Sequence, residues 1–452
     1  MNINPLIEHL IAHHPLRFVK GMLSAYVAYP VAEHLERRCI RPKLRELRKY
    51  YQQPLETRKR FMAARLADTV EFAKCNVPYY RDLFASKNID PGKIRKDAGY
   101  LNDIPFLDKD IIREQGERLL SKPLDQVVHH ACKTGGSTGV SCVIYYDQEA
   151  ADYSAAVTLY ARGRVGNKKY KPELHFACRF PGVTPEKWPS REDFKCFAMN
   201  RSNIFFDRID DEGLEEIWRT LKRRRPYMVH AHPSTIYALA CYVERRYGSG
   251  KAFDVFESSG ELLEPRMREA ITRVLKCRVV DRYGLAELGV MAYQLDEGEN
   301  MQVLDSEGWP ESMPVDKDFD ELLFTGFRNR LMPLIRYRTG DLARVVVSDR
   351  GFYLENVTGR IHDLVPINGV EHATHYIQDV LDHRVGGIQE FQIDLRNKPP
   401  LLRIVIEPWA EAGEILCKLQ EYWGAAFEYQ FVGHEQLVRV GHRAKFRHVV
   451  TA

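Results

Sequence analysis

Apolar and polar positions along this chain follow more than one rhythm. Residues 1–125 run mostly with helical spacing, interrupted by turn signals at P-Y-Y-R (78–81) and I-P-F-L-D-K (104–109). Between residues 126 and 345, short β-rich runs appear: V-I-Y-Y (143–146), L-H-F-A (174–177), Y-M-V-H (227–230), V-F-E-S (255–258), R-V-V-D (278–281) and E-L-L-F-T (321–325). Helical stretches at 212–224, 233–247 and 264–276 lie between them. This alternation predicts an α/β architecture with largely parallel strands. Beyond about residue 361 the order changes. A strand D-L-V-P-I, a helix at 373–384, strands I-Q-E-F-Q-I-D-L and L-L-R-I-V-I-E-P, a helix at 410–423 and a strand F-E-Y-Q-F give β-α-β-β-α-β, a small ferredoxin-like α+β unit. The expected organisation is a helical arm (1–60), a large domain (61–360) and a small C-terminal domain (361–452).

Composition narrows the class. With 452 residues, 44% hydrophobic and 28% charged, the chain reads as a soluble globular protein large enough to build its cores without disulfides or metals. Nine cysteines, an odd number with no C-x-x-C, predict reduced thiols in a cytoplasmic protein and no zinc site. No cleavable signal pattern and no apolar run near the transmembrane length are present. Charge is uneven. Residues 1–60 hold twelve Lys/Arg against five Glu, a net +7, leaving −3 of the total +4 for the rest. The basic part follows an apolar one, G-M-L-S-A-Y-V-A-Y-P-V-A (21–32), so the arm is either a solvated helix packed on the body or a peripheral membrane contact. It matches no nucleic-acid-binding module, and no such partner is expected.

The richest chemistry lies in K-T-G-G-S-T-G-V-S, Lys133 to Ser141. Three glycines let the backbone close on a ligand, and four hydroxyls with successive N–H groups can wrap a phosphate. A kinase-type P-loop would carry an internal lysine and open a helix; this loop leads into a strand. Four further segments carry candidate chemistry. D-R-Y-G-L-A-E-L-G (281–289) puts an aromatic face and a carboxylate at a strand end, where open α/β sheets bind ligands. Y-R-T-G-D-L-A (337–343) follows a glycine turn with an aspartate able to accept hydrogen bonds from two ribose hydroxyls. T-G-R-I-H-D-L-V-P-I-N-G-V (358–370) marks the boundary of the small domain, and R-A-K-F-R (443–447) lies near the C-terminus.

In order and spacing these five segments resemble the adenylate-forming superfamily of acyl-CoA ligases, luciferases and adenylation domains. N-V-P-Y-Y-R (76–81), I-P-F-L-D-K, G-G-S-T-G and H-P-S-T-I-Y (232–237) are most similar to its phenylacetate–CoA ligase branch, which includes capsule-biosynthesis relatives. The resemblance spans roughly residues 60 to 450 and omits the first 50 or so. It implies ATP-dependent adenylation of a small-molecule carboxylic acid, with Mg²⁺, and transfer of the acyl group to CoA or an amine. Two alternatives stay open: an adenylyltransferase stopping at an AMP conjugate, and a weakly active scaffold in envelope polysaccharide biosynthesis.

The resemblance also implies roles. Thr134, Gly135, Gly136, Ser137, Thr138 and Gly139 would hold the β/γ-phosphates, and Ser259, Gly260 and Glu261 would line the adenine. Tyr283 would stack on the base, Glu287 would bind Mg²⁺, and Asp341 would bind the ribose with Arg360 nearby. His362 and Asp363 would form the hinge of a mobile small domain, whose Lys445 would reach the α-phosphate. Thr138, Glu287 and Lys445 are the candidate catalytic residues. Several positions depart from the superfamily pattern. Ala286 replaces the usual Thr or Ser, His362 the usual hinge aspartate, and no glycine precedes Lys445. The acid pocket is expected near His175–Gly182, His230–Ser234 and Glu257–Glu261, with Arg179, His230 and His232 as polar candidates or as ordinary core and surface residues. Oligomeric state is left open.

Overall fold

The protein is described by a computed structural model covering residues 14–133, 142–178, 190–206, 209–298, 300–314, 320–358, 364–433, 436–440, 445–446 and 448–450. The described residues build one eleven-stranded sheet, which changes character halfway across. One half is parallel, in the spatial order Arg201–Phe206, Glu173–Cys178, Met228–Ala231, Val255–Ser258, Arg278–Leu285. Helices Asp211–Arg224, Pro233–Tyr247 and Pro265–Leu275 follow the strands as crossovers. Val229, Phe256 and Val279 pack under these helices, while Met228, Val255 and Val280 face Ile40, Leu47 and Val157 of helices Ile40–Tyr50 and Gln148–Arg164. Burial on both faces is why these strands read as unbroken apolar runs.

After Arg278–Leu285 the chain turns back on itself. Gly289–Tyr293, Met301–Val303, Phe352–Thr358, Tyr337–Val347, Asp320–Gly326 and Gly308–Pro314 complete the sheet in antiparallel pairing. The expectation of largely parallel strands therefore holds only for the five strands between Glu173 and Leu285; V-I-Y-Y, before them, belongs to a separate antiparallel hairpin. The crossover helices stop at Leu275, and tight turns, which can join only antiparallel neighbours, take over. The expected interruption at P-Y-Y-R is present: the extended Val77 ends helix Leu55–Asn76, and P-Y-Y-R then opens helix Pro78–Ser86. Its proline sits at the first helical position, where the missing N–H costs nothing.

The C-terminal segment has its own core of Ile377, Ile393, Ile404, Leu419 and Trp423. Its sheet runs Glu428–Phe431, Leu401–Ile406, Ile388–Asp394, Val449–Val450, with Thr374–Val380 and Ala412–Trp423 as its helices. The predicted strand D-L-V-P-I is present as Leu364–Ile367 but forms a hairpin with Val370–Ala373. The fourth strand of the small sheet is instead Val449–Val450, parallel to Ile388–Asp394. The N-G pair at 368–369, with φ of 50° and 81°, supplies the positive dihedrals that a tight hairpin turn requires.

Candidate functional site

The glycine-rich loop joins a two-stranded hairpin. His129–Lys133 pairs antiparallel with Val143–Asp147, with Lys133 opposite Val143. Asp147 ends the hairpin and caps the next helix, accepting from the Ala150 N–H at 2.8 Å. The loop itself, with Thr134, Gly135, Gly136, Ser137, Thr138 and Gly139, lies outside the described residues, as do Arg179, Arg360, His362 and Asp363. Lys445 is described only as backbone, in the strand Lys445–Phe446 that pairs with Arg439–Val440.

Three motifs far apart in sequence interlock beside that hairpin. The Tyr283 hydroxyl donates to Asp341 Oδ2 at 2.8 Å, and both side chains are buried. Burial, then the Asp341 carboxylate, push the Tyr283 phenol well above its ordinary pKa, so it remains a donor. Asp341 follows Gly340, which lies inside strand Tyr337–Val347 and not in the expected turn; its φ of 77° accompanies a bulge where the register against Asp320–Gly326 shifts. Glu287 sits in the turn between Arg278–Leu285 and Gly289–Tyr293, where its Oε1 accepts from the Tyr337 hydroxyl at 2.8 Å. The Lys109 ammonium lies 3.7 Å from the same oxygen, with both side chains buried. Lys109 comes from I-P-F-L-D-K, which is clamped to the Tyr337 strand: Leu107 N–H donates to Arg336 O at 3.1 Å, and Arg338 N–H to Leu107 O at 2.8 Å. Cys132, in strand His129–Lys133, has its thiol pKa raised by burial and then by the Glu287 carboxylate, so Glu287 lies near the end of that strand. A buried carboxylate held by a tyrosine hydroxyl and an ammonium suits Mg²⁺, which keeps several waters and takes one or two carboxylates plus substrate phosphates.

Ser259, Gly260 and Glu261 form the turn after strand Val255–Ser258. The Ser259 hydroxyl accepts from Arg282 Nη1 at 3.0 Å. Gly260 has φ of 85°, and a Cβ there would stand 2.5 Å from the His232 ring, so only glycine fits. The Glu261 carboxylate caps helix Pro233–Tyr247, accepting from Ser234 N–H at 3.1 Å, with His232 Nδ1 3.6 Å from its other oxygen. Of the two histidines singled out in the sequence, His232 thus belongs to a helix-terminus contact.

His230 belongs to a cavity of about 750 Å³, whose wall includes His175, His230, Arg162, Glu173, Arg282 and Glu287. At its floor Arg162 forks onto Glu257, with Nε 3.0 Å from Oε1 and Nη2 2.5 Å from Oε2, and its Nη1 reaches Glu173 at 2.8 Å. Tyr293 donates to Glu257 at 2.6 Å, His230 Nδ1 is 2.8 Å from Glu257, and His175 Nε2 is 3.3 Å from Glu173. Burial alone would raise the Glu257 pKa, but Arg162 and His230 hold it well below the carboxylate range. Two arginines, Arg162 and Arg282, face two glutamates, so this end of the cavity is balanced in charge and rich in hydrogen-bonding groups. Sequence reasoning missed Arg162 and Glu173, and quoted Lys109, Arg282 and Tyr337 only as motif letters. The one available signal was a basic residue in an otherwise apolar helix face, as at Arg162.

Burial lowers the His230 pKa to about 4, so the folded protein holds it neutral. Its folded pKa lies below the unfolded 6.5, hence the unfolded chain takes up the proton first and stability falls as pH drops from about 6.5 toward 4. About a quarter of the side chain stays exposed to the cavity, which moderates the effect to roughly 2 kcal/mol between pH 7 and 4.5. Asp281 and Asp305, each raised to about 6 by burial, act in the opposite direction. The comparison is therefore between the parent and His230→Gln, by urea unfolding at both pH values. The parent should lose about 2 kcal/mol more than the variant; parallel pH slopes would remove His230 from this account.

No family model matches the chain. Among characterised proteins, it is 26% identical to a phenylacetate–coenzyme A ligase of Escherichia coli (strain K12) over 323 residues, 68% of this chain and 72% of the relative. It is 23% identical to Protein CapK of Staphylococcus aureus over 310 residues, 67% of each chain. Among solved structures, 2-hydroxyisobutyryl-CoA ligase in its postadenylation state, with R3-HIB-AMP, superposes with a TM-score of 0.54 at 16% identity, covering 88% of this chain and 90% of that one. The same ligase in the thioesterification state, with 2-HIB-AMP and CoA, gives a TM-score of 0.54 at 17% identity, covering 88% and 90%. In sequence the chain is thus similar to phenylacetate–CoA ligases and to CapK, and it shares its fold with an acyl-CoA ligase that forms an acyl-AMP.

Proposed function

We propose that the protein uses ATP to activate a small carboxylic acid as its acyl-adenylate, releases pyrophosphate, and passes the acyl group to CoA. The observation that carries this reading is the junction of two separate motifs, Tyr283 and Glu287 of one bonding Asp341 and Tyr337 of the other, beside the hairpin of His129–Lys133 and Val143–Asp147. Attack of a carboxylate on a polyanion is opposed mainly by charge, so the residues needed are those that orient and neutralise. Asp341 accepts from the ribose hydroxyls, and its hold on Tyr283 fixes the ring against which the base stacks. Glu287, oriented by Tyr337 and Lys109, is the ligand for Mg²⁺, which when bound offsets phosphate charge. Thr134–Gly139 would supply the phosphate donors. Lys445 would approach the α-phosphate as the small domain turns about His362 and Asp363, with Arg360 beside the ribose.

The floor of the cavity bears on the acid. Because Arg162 and Arg282 are matched by Glu173 and Glu257, a second carboxylate on the substrate would meet no net positive charge. A neutral polar substituent could instead bond the open ring nitrogens of His175 and His230. The test is pyrophosphate release with a panel of acids, with and without CoA. Acid-dependent release yielding a thioester is expected. A stable AMP conjugate would replace the reading with an adenylyltransferase, thioester-free release with an amine would change the acceptor, and absence of ATP turnover with every acid would overturn it.

A further inference from the structure

The first helix of the described chain has two unlike faces. His14–Leu23, a π-turn at Ser24–Ala28 and Tyr29–Leu35 join through α-helical junctions at Leu23 and Ala28, so they form one continuous rod. Ser24, Ala28, Tyr29 and Glu33 are buried against the body. On the outer side Leu16, Val19, Leu23, Val27 and Val31 succeed one another every three or four residues, each between 46% and 60% exposed. Phe18 and Tyr26, at 54% and 66%, flank them. Apolar stripes of this length are not scattered surface residues; they mark a contact with another phase or molecule. Among the described residues no helix is long and apolar enough to cross a membrane, so this one can lie only along a surface.

The next element says what kind of surface. Helix Ile40–Tyr50 buries Ile40 and Leu47 and exposes Arg41, Arg45, Arg48 and Lys49, which share a face at spacings of four, three and one. An apolar stripe carrying aromatic residues, followed at once by a basic face, is the pattern of interfacial helices that bind anionic lipid. Arg41 is already paired with the buried Glu33, and a second copy that covered the stripe would gain nothing from the three exposed cations Arg45, Arg48 and Lys49. We infer that His14–Leu35 and the basic face of Ile40–Tyr50 seat this protein on an anionic lipid surface. The inner side of the same helix, through Tyr29, Ala32 and Glu33, lines the large cavity, so docking sets that cavity at the headgroup boundary.

The test is co-sedimentation of the full chain with vesicles of phosphatidylcholine, and of phosphatidylcholine mixed with phosphatidylglycerol. Binding to the mixed vesicles is expected, weakening as the screening length shrinks from about 10 Å at 0.1 M salt to about 3 Å at 1 M. A Val19→Glu/Val27→Glu/Val31→Glu chain should lose binding more than tenfold, with an unchanged circular dichroism spectrum and Tm. An Arg45→Gln/Arg48→Gln/Lys49→Gln chain should lose roughly 100-fold on the anionic vesicles, about fivefold per side chain. No association of the unaltered chain with the mixed vesicles overturns the inference, as does binding that the glutamate substitutions leave intact. A dimer in light scattering that those substitutions dissolve, without vesicle binding, assigns the stripe to a second copy instead.

Discussion

Asp341→Ala is expected to lower kcat/KM for ATP by about 100-fold, and to do so mostly through ATP affinity. Two contributions add. The carboxylate is the proposed acceptor for the ribose hydroxyls, and hydrogen bonds to a charged group contribute about 1.5–3 kcal/mol each. It also receives the Tyr283 hydroxyl, at 2.8 Å and fully within the core, so its removal takes that acceptor from a buried donor. The second effect should appear as a stability loss of about 1–3 kcal/mol, which Asp341→Asn avoids because the amide oxygen can still accept. The asparagine variant is therefore the informative partner: near-parental Tm, with a KM for ATP raised by the lost charge. Pyrophosphate-release kinetics as a function of ATP measure both. Unchanged kinetics in the alanine variant would remove Asp341 from the nucleotide site.

Glu287→Gln is expected to cost more, on the order of 100- to 1,000-fold in kcat, the range seen when a single charge-stabilising group is lost from a transition state. Here stability and chemistry are entangled. Lys109 lies 3.7 Å from Glu287 Oε1, with both side chains buried, and taking one partner from such a pair costs about 3–5 kcal/mol. The double variant Lys109→Met/Glu287→Gln separates the two effects. Removing both charges should return most of the lost Tm, since a buried ion pair is often replaced by apolar groups at little net cost. Activity should stay low, because the metal carboxylate is still missing. Recovery of activity in the double variant would show that Glu287 matters only as the counter-ion of Lys109.

The legible part of the site was the part encoded in short stretches. A positive-φ glycine before an acid, as at Gly340–Asp341, is a local property of backbone dihedrals, although it proves to be a bulge within a strand. Tyr283–Gly284 likewise lies at the end of a strand whose turn, at 286–288, holds Glu287. Strands that would be buried on both faces, such as Val255–Ser258, announced themselves by composition for the same reason. Arg201–Phe206, R-S-N-I-F-F, went unnoticed because an edge strand needs no such apolar run. The antiparallel half of the sheet was hidden as well. The order of its strands depends on which turns close, and pairing partners lie tens of residues apart.

By itself, then, the sequence determined the element types, the family resemblance and the identity of Tyr283, Glu287 and Asp341 as candidates, because each rests on near neighbours. Only the tertiary structure decided their partners. Tyr283 meets Asp341 58 positions away, and Arg162 meets Glu257 across 95. The same holds for Lys109 beside Glu287, and for the arm that turns one face to the cavity and the other outward. Such pairings are settled by how helices and strands pack, and buried charges persist only where that packing supplies an opposite charge or a donor. No local pattern records which distant residue will supply it.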